Sequence, residues 1–190
     1  MTTPRRAQLL TVAAALMAER GFHGMSINDL GAAAGVSGPA VYRHFPSKQA
    51  VLGEMLIGIS QRLLDTGHQR VHGAPNAVEA VTALIAWHVE FAISEPDLIR
   101  VQDRDLASTT PADRRRVRQL QRAYAEVWVH QLQAALPELG ESMSRARVHA
   151  VFGLLNSTPY SGRGVDIAQM AVVLRGMASA ALFAPVVSLP

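Results

Sequence analysis

Residues 26–48 constrain this chain more than any other stretch. Ser26 stands three residues before Asp29, a capping-box spacing that starts a helix with two amide donors satisfied. Ile27, Leu30, Ala33 and Ala34 then give an apolar face over barely two turns. Gly35 can take the positive φ that a sharp exit from a helix needs. Val36 follows as an apolar plug. Ser37 can cap a second short helix with Pro39 in its first turn, where no amide donor is missed. Pro46 and Ser47 close that helix and cap the next. Two short helices joined by a tight turn containing glycine form the helix-turn-helix pattern, whose second helix enters the DNA major groove.

The side chains of the second helix suit that task. Ser37, Gly38, Pro39 and Ala40 are small and let the helix approach DNA closely. Tyr42, His44 and Lys48 can each donate to phosphate oxygens, contacts that position a protein without reading sequence. Arg43 is the one long planar donor, able to bind guanine O6 and N7 together. Ser26 and Asn28, at the start of the first helix, complete the candidate DNA-facing set. An ordinary helical hairpin with a few solvated polar residues is the plainer alternative.

Ser26-Ile-Asn-Asp-Leu-Gly31, Gly35-Val36-Ser37 and Tyr42-Arg43-His44-Phe45-Pro46-Ser47-Lys48, at this spacing, resemble the DNA-binding domain of the TetR family of bacterial transcriptional regulators. The likeness in motif runs from about Arg5 to Met55; beyond it, only length and helical layout are similar. Two positions depart from the family pattern. Gly31 replaces the usual alanine and is expected to weaken the first helix slightly. Gly38 sits where family members often carry a long polar or basic side chain, so base reading is expected to rest on Arg43 and DNA shape.

Composition narrows the remaining choices. The 190 residues can form one domain or two small ones and bury a substantial core. There is no cysteine, which excludes disulfides, thiolate metal sites and cysteine nucleophiles. No run of 18 uninterrupted apolar residues occurs, so no membrane span is expected. Arg5 and Arg6 precede an apolar run over residues 9–18, but Glu19 and Arg20 end it without a small-residue cleavage site, unlike a signal peptide. A cytoplasmic protein is expected. The net charge of +3 is a weak sign of DNA binding by itself.

The fold class expected is all-α: a three-helix head over residues 1–52, then an effector-binding and dimerisation bundle over 53–190, about nine helices in total. The first helix is predicted over residues 4–20, with Leu9, Val12, Ala13, Leu16 and Met17 as its buried stripe and Gly21 as its C-terminal cap. Arg5 and Arg6 sit where an N-terminal arm can reach phosphate, or where a frayed end is simply solvated. A long helix follows over residues 47–71, with Val51, Met55, Ile59, Leu63 and Leu64 inward. His68 and His72 share a spacing that can hold a metal, but no third ligand is near, so no metal site is expected. Asn76 with Glu79 opens a helix to Ser94, and Thr110-Pro111 opens another to Leu136. The arginines at 114, 115, 116 and 118 are read as a solvated, ion-paired face rather than a nucleic-acid site. Ser142 or Ser144 is expected to cap a helix to Asn156, and the last helix spans residues 164–183.

Two further sites are expected in the bundle. Val148, Val151, Phe152 and Leu155, with Ile167, Met170, Leu174, Met177 and Ala181, are read as an isologous four-helix dimer interface, because the last helix is apolar on most faces. The resemblance implies the same arrangement, and implies that the bundle binds a small-molecule effector. Candidate pocket residues are Trp87, His88, Phe91, Tyr124, Trp128, Gln131, Phe152 and Asn156; plain core is the alternative for each. Catalytic readings find no support: no Glu-x-x-His pair lies on the bundle helices, and the glycines at 162 and 164 form no phosphate loop. No catalytic residue and no cofactor is expected. The partners expected are double-stranded DNA bearing a near-palindromic operator, a second copy of the chain, and an unidentified effector. One short helix reads too few base pairs to specify a genomic site, so two copies should read half-sites roughly 34 Å apart or a multiple of it. Repression is the simpler mechanism, since occupying a promoter excludes polymerase. A helical small-molecule-binding protein or enzyme that keeps the fold without specific DNA binding is the alternative.

Overall fold

The computed structural model describes residues 4–161 and 164–185; Gly162 lies outside them. The described residues form ten α-helices and no strand: α1 Pro4–Gly24, α2 Ile27–Ala33, α3 Gly38–Tyr42, α4 Lys48–His72, α5 Ala77–Ser94, α6 Pro96–Asp105, α7 Pro111–Ala135, α8 Glu141–Asn156, α9 Thr158–Ser161 and α10 Ile167–Leu182. The single-turn α9 and the 3-10 turns Leu106–Ser108 and Pro137–Leu139 are elements that the sequence did not announce.

Local signals set most boundaries. Gly21 takes φ 79° and breaks α1 one residue past Arg20, after which Phe22 turns back into the core. The Ser26 hydroxyl accepts from Asp29 N at 3.1 Å, while the Ser26 amide donates to the Asp29 carboxylate at 2.8 Å. The Ser26 hydroxyl, which also donates to the Asp29 carboxylate at 2.6 Å, and the Ser26 amide hold that carboxyl below its ordinary range. Asn76 Oδ1 accepts from Glu79 N at 2.9 Å, and the Thr110 hydroxyl from Asp113 N at 3.1 Å. The start of α8 differs from expectation. Neither Ser142 nor Ser144 caps it; Gly140 precedes the helix, and Ser144 is buried one turn in, donating back to the Gly140 carbonyl. A serine inside a helix can bond its hydroxyl back to the carbonyl four residues earlier in this way.

The chain divides into two compact units, but not at one cut near residue 52. The first comprises Met1–Gln61 together with Asp97–Leu120; the second comprises Arg62–Pro96 and Gln121–Pro190. Helix α6 and the first half of α7 therefore belong with the helix-turn-helix. Their Val101 and Val117 are fully buried in the same core as Leu9, Met17, Leu30, Phe45 and Leu52. Polar contacts add to this: the buried Asp105 carboxylate accepts from Phe22 N at 3.2 Å and from Arg104 at 3.0 Å, and Arg104 also donates to the Met17 carbonyl. The second unit centres on Leu84, Val89, Trp128, Leu132, Val148, Val151, Leu155 and Leu182. Helix α5 is long and apolar enough to cross a membrane, with mean hydropathy 1.4. Its Val81, Leu84, Ile85 and Val89 are nonetheless the buried centre of this unit.

Candidate nucleic-acid interface and effector site

The DNA-facing candidates fall into three groups. Ser26, Asn28, Ser37, Pro39, Tyr42 and Arg43 are exposed, and Ala40 and His44 half-exposed, on α2, α3 and the residues flanking them. Tyr42 keeps 55% of its surface, a large exposure for an aromatic ring with no apolar neighbour to cover it. Among the described residues Arg43 makes no hydrogen bond or ion pair, so all five of its N–H donors are available. On this side the Asn28, Tyr42 and Arg43 side chains make no hydrogen bond among the described residues, while the Ser26 and Ser37 hydroxyls cap α2 and α3.

Lys48 belongs to the second group. Its ammonium donates to the Phe22 carbonyl at 2.7 Å and the Met25 carbonyl at 2.8 Å, and lies 4.4 Å from the centre of the Phe22 ring. Two of its three donors thus tie α4 to the α1–α2 corner, where the sequence suggested a plain phosphate contact. Arg6 is committed as well. It forms a bidentate pair with Glu54, donates to the His44 carbonyl, and stacks 4.4 Å over Phe45. The expected N-terminal arm is therefore reduced to Arg5, which bonds Gln8 at 2.7 Å.

Gly38 forms the third group. It is buried, and a Cβ built on it would lie 2.1 Å from Asn28 Oδ1. One turn further along α2, a Cβ on Gly31 would lie 2.8 Å from the Val36 carbonyl oxygen and 3.1 Å from Gly38 N. The two departures from the family pattern are thus one feature: they let α2 and the start of α3 approach more closely than side chains allow. Gly31 does more than weaken a helix.

The arginine run 114–118 carries no ion pair among the described residues, contrary to the expected ion-paired face. Arg114 donates to the Ala107 carbonyl, and Arg116 to Gln61 and Gln119. Of the acids near it in sequence, Asp105 pairs with Arg104, and Asp113 accepts from the Thr110 hydroxyl.

In the second unit, six of the eight pocket candidates come together. His88 is buried in a box of rings: stacked on Phe152 (5.1 Å between centres) and Tyr124 (5.8 Å), edge-on to Phe91 (5.8 Å) and Trp128 (6.0 Å). Its Nε2–H donates to Asn156 Oδ1 at 3.1 Å, and Nδ1 faces the Tyr124 hydroxyl at 3.4 Å. Burial pushes the imidazole down to about 4, partly opposed by the Asn156 bond, so His88 is neutral at pH 7. Burial likewise raises the Tyr124 phenol above its ordinary value. The Trp128 indole N–H lies near enough to the Tyr124 hydroxyl to oppose that rise, yet completes no hydrogen bond. The other two candidates stand apart: Trp87 is half-buried and donates to the Leu63 carbonyl at 3.4 Å, and Gln131 is half-buried without a bond to this cluster among the described residues. A separate surface cleft of about 320 Å³, lined by Gln69, Arg70, Gly73, Ala74, Pro75, Glu79 and Ala83, includes none of the eight. His68 and His72 are exposed, and no metal-ligating group of three occurs among the described residues.

The interface candidates divide by face. Val148, Val151, Leu155 and Leu174 were expected to face a partner but are buried in the protomer's own core. They line the α8 and α10 surfaces that pack on α5 and on each other. Phe152, Met170 and Ala181 are half-buried, while Ile167 (68%) and Met177 (51%) stand exposed. Val172 (69%) and Val173 (49%) are exposed apolar residues of the same helix; Val173 belongs to the apolar set read from the sequence, and Val172 does not. A helix apolar on every side does not show which side the protomer keeps.

Residues 9–55 match the family model described as bacterial regulatory proteins, tetR family, and residues 74–161 match the tetracyclin repressor-like C-terminal domain. The HTH-type transcriptional repressor KstR2 of Rhodococcus jostii (strain RHA1) is 26% identical over 157 residues, covering 82% of this chain and 76% of that protein. Among solved structures, a TetR-family transcriptional regulator from Bordetella parapertussis 12822 superposes with a TM-score of 0.81 at 21% identity, over 97% of this chain and 98% of that one. AibR, solved in complex with isovaleryl coenzyme A and operator DNA, superposes with a TM-score of 0.76 at 18% identity, over 91% of this chain and 97% of that one.

Proposed function

The chain belongs to the TetR family of bacterial transcriptional regulators, and on that footing we propose that it is a cytoplasmic repressor, binding a near-palindromic operator as a homodimer and released by a small-molecule effector. The observation that carries this reading is the exposed side of α2 and α3, where the Asn28, Tyr42 and Arg43 side chains stand without a hydrogen-bond partner among the described residues. Residues 1–52, within the first unit, read DNA, and the part of residues 53–190 that forms the second unit holds the effector and the second copy. Ser37, Pro39, Tyr42 and Arg43 meet the major groove, Tyr42 and His44 touching phosphate while Arg43 reads a guanine. Lys48 contributes its one free donor.

The effector binds against the cluster formed by His88, Phe91, Tyr124, Trp128, Phe152 and Asn156. Every polar group there is neutral at pH 7, which favours an uncharged ligand portion at that point. AibR, which shares this fold and was solved with both isovaleryl coenzyme A and operator DNA, supports the pairing of a small ligand and operator DNA. The second copy packs on the exposed apolar side of α10, at Val172, Val173 and Met177.

Selection of duplexes from random DNA by the purified protein tests this reading, followed by titration of the selected site against salt. A palindrome with spaced half-sites and an affinity that falls steeply with salt is expected. Sequence-independent recovery under all conditions would sink it.

A further inference from the structure

We propose that Asn28 is a specificity-determining residue of the DNA contact, its carboxamide reading an adenine edge from the place that a side chain at position 38 would otherwise hold. This rests on the reading of α2 and α3 as the DNA-facing pair. Gly38 stands at the start of α3, the end of a recognition helix whose residues contact base edges. With no side chain of its own, it leaves a space, and Asn28 fills it: a Cβ at position 38 would fall 2.1 Å from Asn28 Oδ1 and 3.3 Å from Cγ. Gly31 makes this reach possible, because it lets the turn and the first residue of α3 sit against α2 one turn after Asn28.

The carboxamide has no competing task. The start of α2 is already capped reciprocally by Ser26 and Asp29. The start of α3 is capped by the Ser37 hydroxyl, which accepts from Ala40 N. Asn28 is exposed and makes no hydrogen bond among the described residues. An asparagine amide offers one acceptor beside one donor pair, the complement of adenine N6–H and N7 in the major groove. Arg43, further along the same surface, offers only donors and suits guanine. Two readers of different base preference, one from each helix, therefore share each half-site. Base reading does not rest on Arg43 and DNA shape alone.

Selection from random duplex DNA is run in parallel with the full-length wild type, Asn28→Ala, Asn28→Asp and Gly38→Ala. The wild-type half-site is expected to contain an adenine that Asn28→Ala no longer prefers, with the remaining positions retained. Replacing that base in both half-sites should weaken wild-type binding by roughly tenfold per half-site and leave Asn28→Ala nearly indifferent. Asn28→Asp, an acceptor only, should move the preference toward cytosine. Gly38→Ala keeps the asparagine but pushes it aside, and should lose the same preference as Asn28→Ala; if that variant does not fold, the two Asn28 variants, which alter an exposed side chain, still decide. The same half-site recovered from wild type and Asn28→Ala would overturn the proposal while leaving the regulator reading intact. Failure of the wild type to recover any motif would overturn both.

Discussion

His88 donates through Nε2 to Asn156 Oδ1 at 3.1 Å, a single polar bond between α5 and α8 inside an otherwise aromatic box. Because burial holds the folded imidazole down to about 4, against roughly 6.5 when unfolded, the unfolded chain binds the extra proton between these values. Stability is then complete above pH 6.5 and is lost as pH falls toward 4, reaching about 3 kcal/mol at the acid end. Urea unfolding at pH 7, 6 and 5, compared between wild type and His88→Gln, checks this. The wild type should lose stability faster than the variant as pH drops; parallel losses would show that His88 is not neutral and buried.

Lys48 holds the corner between α1 and α2 through two carbonyls and a ring face. Lys48→Met is expected to cost about 2 kcal/mol of stability, the range for hydrogen bonds to a charged donor. Thermal unfolding reads this directly. An unchanged midpoint, with only the salt dependence of DNA binding reduced, would return Lys48 to the role of a simple phosphate contact.

Arg43→Ala should weaken operator binding by about 1–3 kcal/mol and relax the preference at one base pair in each half-site. Loss of affinity that is uniform across sequences would instead mark Arg43 as a backbone contact. Binding curves on matched and base-substituted operators separate the two.

The two faces of the C-terminal helices make opposite predictions. Met177→Arg places a charge on the exposed apolar side of α10, so sedimentation should find folded monomers for the variant and the proposed homodimer for the wild type. Val148→Asp buries a carboxylate at a fully enclosed site and should cost several kcal/mol, enough to prevent stable folding. A folded monomer from Val148→Asp would reverse the assignment of faces.

How far the sequence anticipated the molecule depended on whether a signal was local. Ser26 with Asp29, Gly21, Asn76 with Glu79, and Thr110 with Asp113 are written within four residues of one another, and each boundary lies where they place it. The helix-turn-helix and most of its exposed side chains were legible for the same reason. Contacts between distant segments were not. Nothing near Asp105 announces that its carboxylate accepts from Phe22 N, 83 positions away, or that Lys48 reaches back to Met25. The exposure of Val172 beside the burial of Leu174 was hidden too, because both are apolar and the difference lies in what packs against them. His88, Tyr124, Trp128 and Phe152 were recognisable as scarce rings on neighbouring helices, but their mutual stacking depends on how α5, α7 and α8 meet.

The passage of the chain from the first compact unit to the second, back through Asp97–Leu120, and out again has a consequence for anyone recombining such regulators. A chimera that joins the head of one relative to the body of another at a single seam inherits Val101, Asp105 and Val117 from the wrong parent. The graft would carry a new reading surface on a mismatched footing. A transplantable head comprises two separate segments, and sequence drift in either must be answered by the other.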